Sequence, residues 1–88
     1  MTYRFYGEVQ RLFVGNSGCY IRLENVTPEG AELPKDEYFL LPLDHRNYSS
    51  LYSLALFASA GRHRLSIRSV TDADTSSYAD ISYMVLDW

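Results

Sequence analysis

Cysteine is almost missing from this chain of 88 residues, with Cys19 the single one. One cysteine excludes an internal disulfide framework, and one Cys with two His cannot build a tetrahedral zinc set. A fold that needs no cross-link is expected, with Cys19 as a small buried apolar residue. No stretch approaches the roughly 20 apolar residues of a membrane helix, so no membrane span is expected. The opening MTYRFYGEVQ alternates and holds no apolar core of a secretory signal, so a cytoplasmic location is expected. Positive charge is also scarce: 8 Lys and Arg against 11 Asp and Glu give a net charge of −3. Nucleic-acid binders draw much of their affinity from phosphate neutralisation, so nucleic acid is not the expected partner.

Tyrosine and phenylalanine are plentiful, with 8 and 4 copies among 88 residues. Such residues fit half-buried pleated surfaces, which leans the chain toward β structure. Its length suits a single domain over residues 1–88. In YRFYGEVQRLFV, Phe5, Gly7 and Val9 alternate with Tyr6, Glu8 and Gln10, and then the phase slips to Leu12, Phe13 and Val14. A change of phase predicts a bulge near Gln10–Arg11, and Gly7 permits tight bending. GNSG supplies a turn, and CYIRLENV alternates cleanly, with Cys19, Ile21 and Leu23 opposite Tyr20, Arg22 and Glu24. Residues 3–26 therefore predict a hairpin. TPEGAELPKD predicts a loop, and EYFLLPL a third strand that Pro42 ends or places at an edge.

NYSSLYSLALFASAG then predicts the one helix. Asn47 or Ser49 can cap it, and Leu51, Leu54, Ala55 and Ala58 form an apolar stripe. Gly61 is placed for the left-handed position after its end, with Arg62 and His63 beside the negative pole of the helix dipole. HRLSIRSV predicts a fourth strand, with Leu65 and Ile67 inward and Arg64, Ser66 and Arg68 outward. TDADTSSY predicts an acidic loop, and ADISYMVLDW a fifth strand. The order β-β-β-α-β-β predicts a mainly β, five-stranded, OB-fold-like Greek-key barrel, the helix between strands three and four covering its open end. The alternative is a split α+β sheet with the helix packed on one face.

This order resembles OB-fold binding modules. Among them, the long bent first strand, SLYSLALFASAGRHRLSIRSV and ADISYMVLDW resemble receptor-binding B subunits of subtilase-cytotoxin and pertussis-like bacterial toxins. The resemblance implies a ring-forming or sugar-binding ancestry. Those subunits are secreted and normally hold a disulfide, whereas this chain has one cysteine, and none of their sugar-contacting positions is carried over.

The outward faces of strands one to three are the usual ligand surface of such a barrel. Here they present Tyr6, Glu8, Gln10, Tyr20, Arg22 and Tyr38, aromatic rings beside an arginine that suit stacking on a sugar or a base, or simple coverage of the sheet. Arg62, His63, Arg64 and Arg68 form the one basic cluster, which could grip a phosphate or serve the helix end. Asp44, His45 and Ser49 are the residue types of a hydrolase triad, but no nucleophile elbow accompanies them, so no catalytic residue is assigned. Asp72 and Asp74 lack the glycine and glutamate of a calcium loop, so no metal and no cofactor is expected. If Ile81, Tyr83 and Val85 face inward, Met84, Leu86 and Trp88 face outward and predict an interface with a second copy. The expected function is non-enzymatic: a self-associating module that binds a ligand, carbohydrate in the first instance, on its barrel surface. The alternative is single-stranded nucleic-acid binding.

Overall fold

The computed structural model describes residues 3–29, 34–69 and 78–86. Six strands and one α-helix follow one another as β1 (Tyr3–Gly15), β2 (Gly18–Glu29), a 3-10 turn (Lys35–Glu37), β3 (Tyr38–Pro42), α1 (Tyr48–Gly61), β4 (Leu65–Ser69), β5 (Ala79–Asp80) and β6 (Tyr83–Leu86). The fold is mainly β, with one curled sheet ordered β5-β3-β2-β1-β4-β6.

The hairpin is the spine of this sheet. β1 pairs antiparallel with β2 along its length and with β4 through Tyr3–Gly7. The expected phase slip is real: Gln10 is an extra residue between Val9 and Arg11, which pair with successive β2 residues, Leu23 and Arg22. A second bulge lies on the partner strand, where Asn25 and Val26 separate Thr27 and Glu24, the partners of Tyr6 and Glu8. Bulges strengthen local twist, so the hairpin coils instead of lying flat. Gly7 is needed at this crossing, because a Cβ there would lie 2.9 Å from the Glu24 carbonyl oxygen. β2 runs through Thr27, Pro28 and Glu29, three residues further than the alternation in CYIRLENV predicts. Pairing with Tyr6, Phe5 and Arg4 holds that extension, a tertiary cause invisible in a segment that reads as a loop.

The fifth predicted strand is two short ones. β5 pairs parallel with β3, and β6 pairs antiparallel with β4. At the junction, the Ile81 N–H donates to the Leu40 carbonyl and the next N–H, of Ser82, to the Arg68 carbonyl, both at 2.8 Å. β3 and β4 are three steps apart in the strand order, which is roughly 14 Å in a flat sheet, whereas adjacent residues are about 3.8 Å apart. Both bonds can form only because the sheet curls until its ends approach each other.

That junction also reverses the expected facing of the last strand. Ile81 is buried, and after the turn of the chain Met84 is buried at 7% exposure while Tyr83 stands out at 43%. Leu86 is half-buried against the core. The outward apolar face of Met84 and Leu86 therefore does not exist in the described structure, and Trp88 lies outside the described residues. Period-two reading across residues 81–84 fails because the chain changes pairing partner between Ile81 and Tyr83.

The core joins alternate residues of every strand to the helix stripe. Phe5, Ile21, Leu23, Phe39, Leu41, Leu65 and Ile67 are buried, with the Phe5 and Phe39 rings 4.8 Å apart between centroids. Cys19 is buried among them as expected, and burial pushes its thiol pKa up, which keeps it protonated and unreactive. Leu51, Ala55 and Ala58 bury the helix face, Leu54 packs partly, and the helix touches β1, β3 and β6. Alanine at two of these positions lets the helix axis come close to the sheet.

Both helix ends depart from expectation. Asn47 occupies the cap position, yet neither it nor Ser49 caps by its side chain; the Asn47 carbonyl accepts from the Leu51 N–H at 2.9 Å instead. The left-handed residue after the helix is Arg62 (φ 54°, ψ 39°), with Gly61 the last helical residue. The His63 ring stacks on Phe57 at 5.4 Å and passes over Gly61, where a Cβ would lie 2.5 Å from its Nε2 and would displace the ring. The His63 N–H closes the end by donating to the Ala58 carbonyl at 3.0 Å.

Candidate functional site

The outer face of the hairpin carries two clusters, one toward each end. The first is aromatic. After the Gln10 bulge Leu12 points inward, so Phe13 points outward and lies opposite Tyr20 in the register, their rings stacked at 4.7 Å and 12°. Tyr38, one strand over, meets Phe13 edge-on at 5.5 Å. Tyr78, placed beside β3 by the parallel pairing of β5, meets Tyr20 at 5.5 Å and Tyr38 at 6.2 Å, again edge-on. Each such pair contributes about 0.5–1.5 kcal/mol beyond its buried area, so the four rings hold one another in place. Phe13 and Tyr78 keep 41% and 37% of their surface exposed, so the cluster reaches solvent.

Two guanidiniums flank the rings. Arg11 lies over Phe13 and Arg22 over Tyr38, both 5.9 Å from the centroid, within cation–π range. Arg22 Nη2 is 3.9 Å from Glu37 Oε2, and its Nε is buried with no hydrogen-bond partner. Asp36 and Glu37, on the turn beside this platform, both hold positive φ (53° and 60°). A glutamate resists that conformation by roughly 1–2 kcal/mol, and an aspartate adopts it more readily.

The second cluster is charged. Tyr6, Gly7, Glu8, Glu24, Asn25, Thr27, Arg62 and Arg64 line an open cleft of about 310 Å³ between the hairpin bulges and the end of α1. Glu8 and Glu24 are direct cross-strand partners, a like-charge pairing that destabilises a sheet. Arg62 Nη2 relieves it, 3.3 Å from Glu8 Oε1 and 3.5 Å from Glu24 Oε2. Its side chain is 70% exposed, so each ion pair contributes under about 1 kcal/mol. Arg64 lies over the Tyr6 ring at 5.3 Å.

Of the six expected ligand residues, the structure thus joins Tyr20, Arg22 and Tyr38 in the platform and places Tyr6 and Glu8 in the cleft. Gln10, the exposed bulge residue, is outside the cleft lining. Phe13, Arg11 and Tyr78 were missed. A two-residue turn fixes Phe13 opposite Tyr20, so continuing the register from Gly15–Gly18 finds Phe13 and Arg11. Nothing local marks Tyr78, which arrives by parallel pairing. The basic cluster divides: Arg62 and Arg64 share the cleft, on the glutamates and on Tyr6, while His63 stacks on Phe57. Arg68 donates from Nε to Ser66 Oγ at 2.9 Å and from Nη1 to Tyr83 Oη at 3.3 Å. Ser66, expected outward, is buried at 3%.

His45 has a structural task. Its Nδ1 accepts the Asn47 N–H at 3.0 Å, which leaves Nε2 to donate to the Ser82 carbonyl at 2.8 Å. Both ring nitrogens are spent tying the helix start to the β5–β6 junction, the place where the chain changes partner. Among the described residues no group of three His, Cys, Asp or Glu side chains is placed to hold a metal ion, and no helix is long and apolar enough to cross a membrane. Asp72 and Asp74 lie outside the described residues. Compared with protein-family models, curated proteins and solved structures, the chain matches none.

Proposed function

We propose that this chain is a non-enzymatic binding module built as an OB-type barrel, taking a carbohydrate on the platform of Phe13, Tyr20, Tyr38 and Tyr78. The strand order supports the barrel reading: β5 and β6 act as two pieces of one closing strand, parallel to β3 and antiparallel to β4, with α1 between β3 and β4. Such barrels bind oligonucleotides and oligosaccharides on the face of their second and third strands. The engagement of both His45 nitrogens by backbone supports the non-enzymatic part.

The observation that carries the ligand reading is the four-ring cluster on the outer face, with Phe13 and Tyr78 its more exposed members. Pyranose C–H faces stack on such rings, and Arg22 and Glu37 offer a donor and an acceptor for hydroxyls beside them. Arg22 is already approached by Glu37, and exposed Asp36 and Asp80 are close in sequence to platform residues, so the local field lacks the cationic surplus a phosphate chain needs. Single-stranded nucleic acid is the second reading, favoured by the guanidiniums over Phe13 and Tyr38.

An oligosaccharide panel and oligothymidylate, titrated at low and high salt, separate the two. Carbohydrate binding is expected to be nearly indifferent to salt and to weaken about tenfold in Phe13→Ala, the loss of one stacking ring. Oligothymidylate binding that falls steeply with salt would favour the second reading. Failure of both ligands would remove the platform as a binding surface.

A further inference from the structure

The charged cleft is hard to explain as part of the fold. It places two glutamates directly opposite each other, and it holds Asn25 and Arg62 in left-handed backbone (φ 51° and 54°) at its rim. Its ion pairs are exposed and weak, so they do no more than offset the repulsion between the two carboxylates. Arg62 takes the left-handed position that ends the helix, and its guanidinium reaches both carboxylates from there.

We propose that this cleft is a second binding site, separate from the aromatic platform, for one neutral, hydroxyl-rich ring such as a hexopyranose. Its ligand class rests on the reading above; its residues do not. A volume of about 310 Å³ is at the small end of ligand cavities, which suits a single ring. Charge selects neutrality: the carboxylates of Glu8 and Glu24 stand against the guanidiniums of Arg62 and Arg64, so neither an anion nor a cation meets a net opposite field. The functional groups are planar and paired. Carboxylate, amide and guanidinium each present two hydrogen-bonding atoms side by side, matched to two adjacent hydroxyls. Tyr6 supplies an aromatic wall, stiffened by the Arg64 guanidinium across its ring. Gly7 keeps the wall close to Glu24, since a side chain there would push the two strands apart.

The test is a two-dimensional amide NMR titration of the full chain with neutral methyl glycosides of glucose, galactose and mannose, beside glucuronate and glucosamine. Saturable shifts are expected at amides of residues 7–8, 24–27 and 62–64 with at least one neutral glycoside. Affinity should fall about tenfold in Arg64→Ala, the loss of one charged hydrogen-bond partner. Asn25→Gly, which keeps the left-handed backbone and removes only the amide, should weaken binding in the same direction. Phe13→Ala, altered only at the other end of the hairpin, should leave the cleft titration as it is. Shifts confined to amides around Phe13, Tyr20 and Tyr38 would uphold the platform and overturn the cleft. Preference for glucuronate or glucosamine at the cleft would overturn the neutrality argument, and the absence of saturable cleft shifts with every sugar would overturn the site.

Discussion

The two ends of the β1–β2 outer face use opposite physics. At one end, Phe13, Tyr20, Tyr38 and Tyr78 touch ring to ring and gain from every contact. At the other, Glu8 and Glu24 pair beside a bulge, Arg62 reaches them from left-handed backbone, and attraction and repulsion roughly offset each other. The aromatic end therefore contributes to the fold whether or not it binds anything, so stability alone cannot prove its function. The charged end has little to offer the fold, which makes a binding role there easier to isolate by mutation. Both ends stand on the same core layer, and that layer sets the scale for measuring them.

The largest effect is expected in that shared layer. Met84→Asp puts a carboxylate at a 7% exposed position in the apolar core, at a cost of roughly 4 kcal/mol or more, enough to unfold a small protein of ordinary stability. Chemical denaturation of the variant measures it. A folded Met84→Asp protein of near-native stability would return Met84 to the surface, restore the outward face of the last strand and with it the case for self-association.

Next comes Tyr20→Ala. The ring is half-buried between Phe13 and Tyr78, so truncation removes buried apolar area and two ring contacts, about 2–3 kcal/mol together. A urea midpoint series over Phe13→Ala, Tyr20→Ala and Tyr38→Ala should rank Tyr20 first, because it is more buried than Phe13 and its ring contacts at 4.7 and 5.5 Å are closer than the 5.5 and 6.2 Å of Tyr38. Losses below about 0.5 kcal/mol for all three would mean the rings are independent and the platform is not a rigid surface.

How much of this was legible beforehand follows from the range of the interactions. Alternation in CYIRLENV placed Cys19, Ile21 and Leu23 inside and Tyr20 and Arg22 outside, because a hairpin with a tight turn is governed by neighbours in sequence. The Gln10 bulge was visible as a slipped phase, and the helix stripe of Leu51, Ala55 and Ala58 as a period of 3.6. The last strand was misread because its facing depends on Leu40 and Arg68, residues far away in sequence that claim Ile81 and Ser82 in turn. The cleft was unreadable for the same reason: Glu8, Glu24 and Arg62 belong to three separate elements, and only the bulges and the αL turn after Gly61 bring them together.

The smallest expected effect is the most discriminating. Arg62→Gly removes both ion pairs, each under about 1 kcal/mol at that exposure, and leaves Glu8 and Glu24 facing each other unrelieved. It also installs at φ 54° the residue that pays nothing for left-handed backbone, a gain of roughly 1 kcal/mol. The contributions oppose each other, so the midpoint of thermal or urea unfolding should stay within about 0.5 kcal/mol of the parent. A loss above about 2 kcal/mol would make Arg62 a structural bolt between α1 and the hairpin, and the contrast between the two ends would disappear. A near-zero change alongside lost glycoside binding would separate recognition from stability at this end, because the same deletion would have removed one and spared the other.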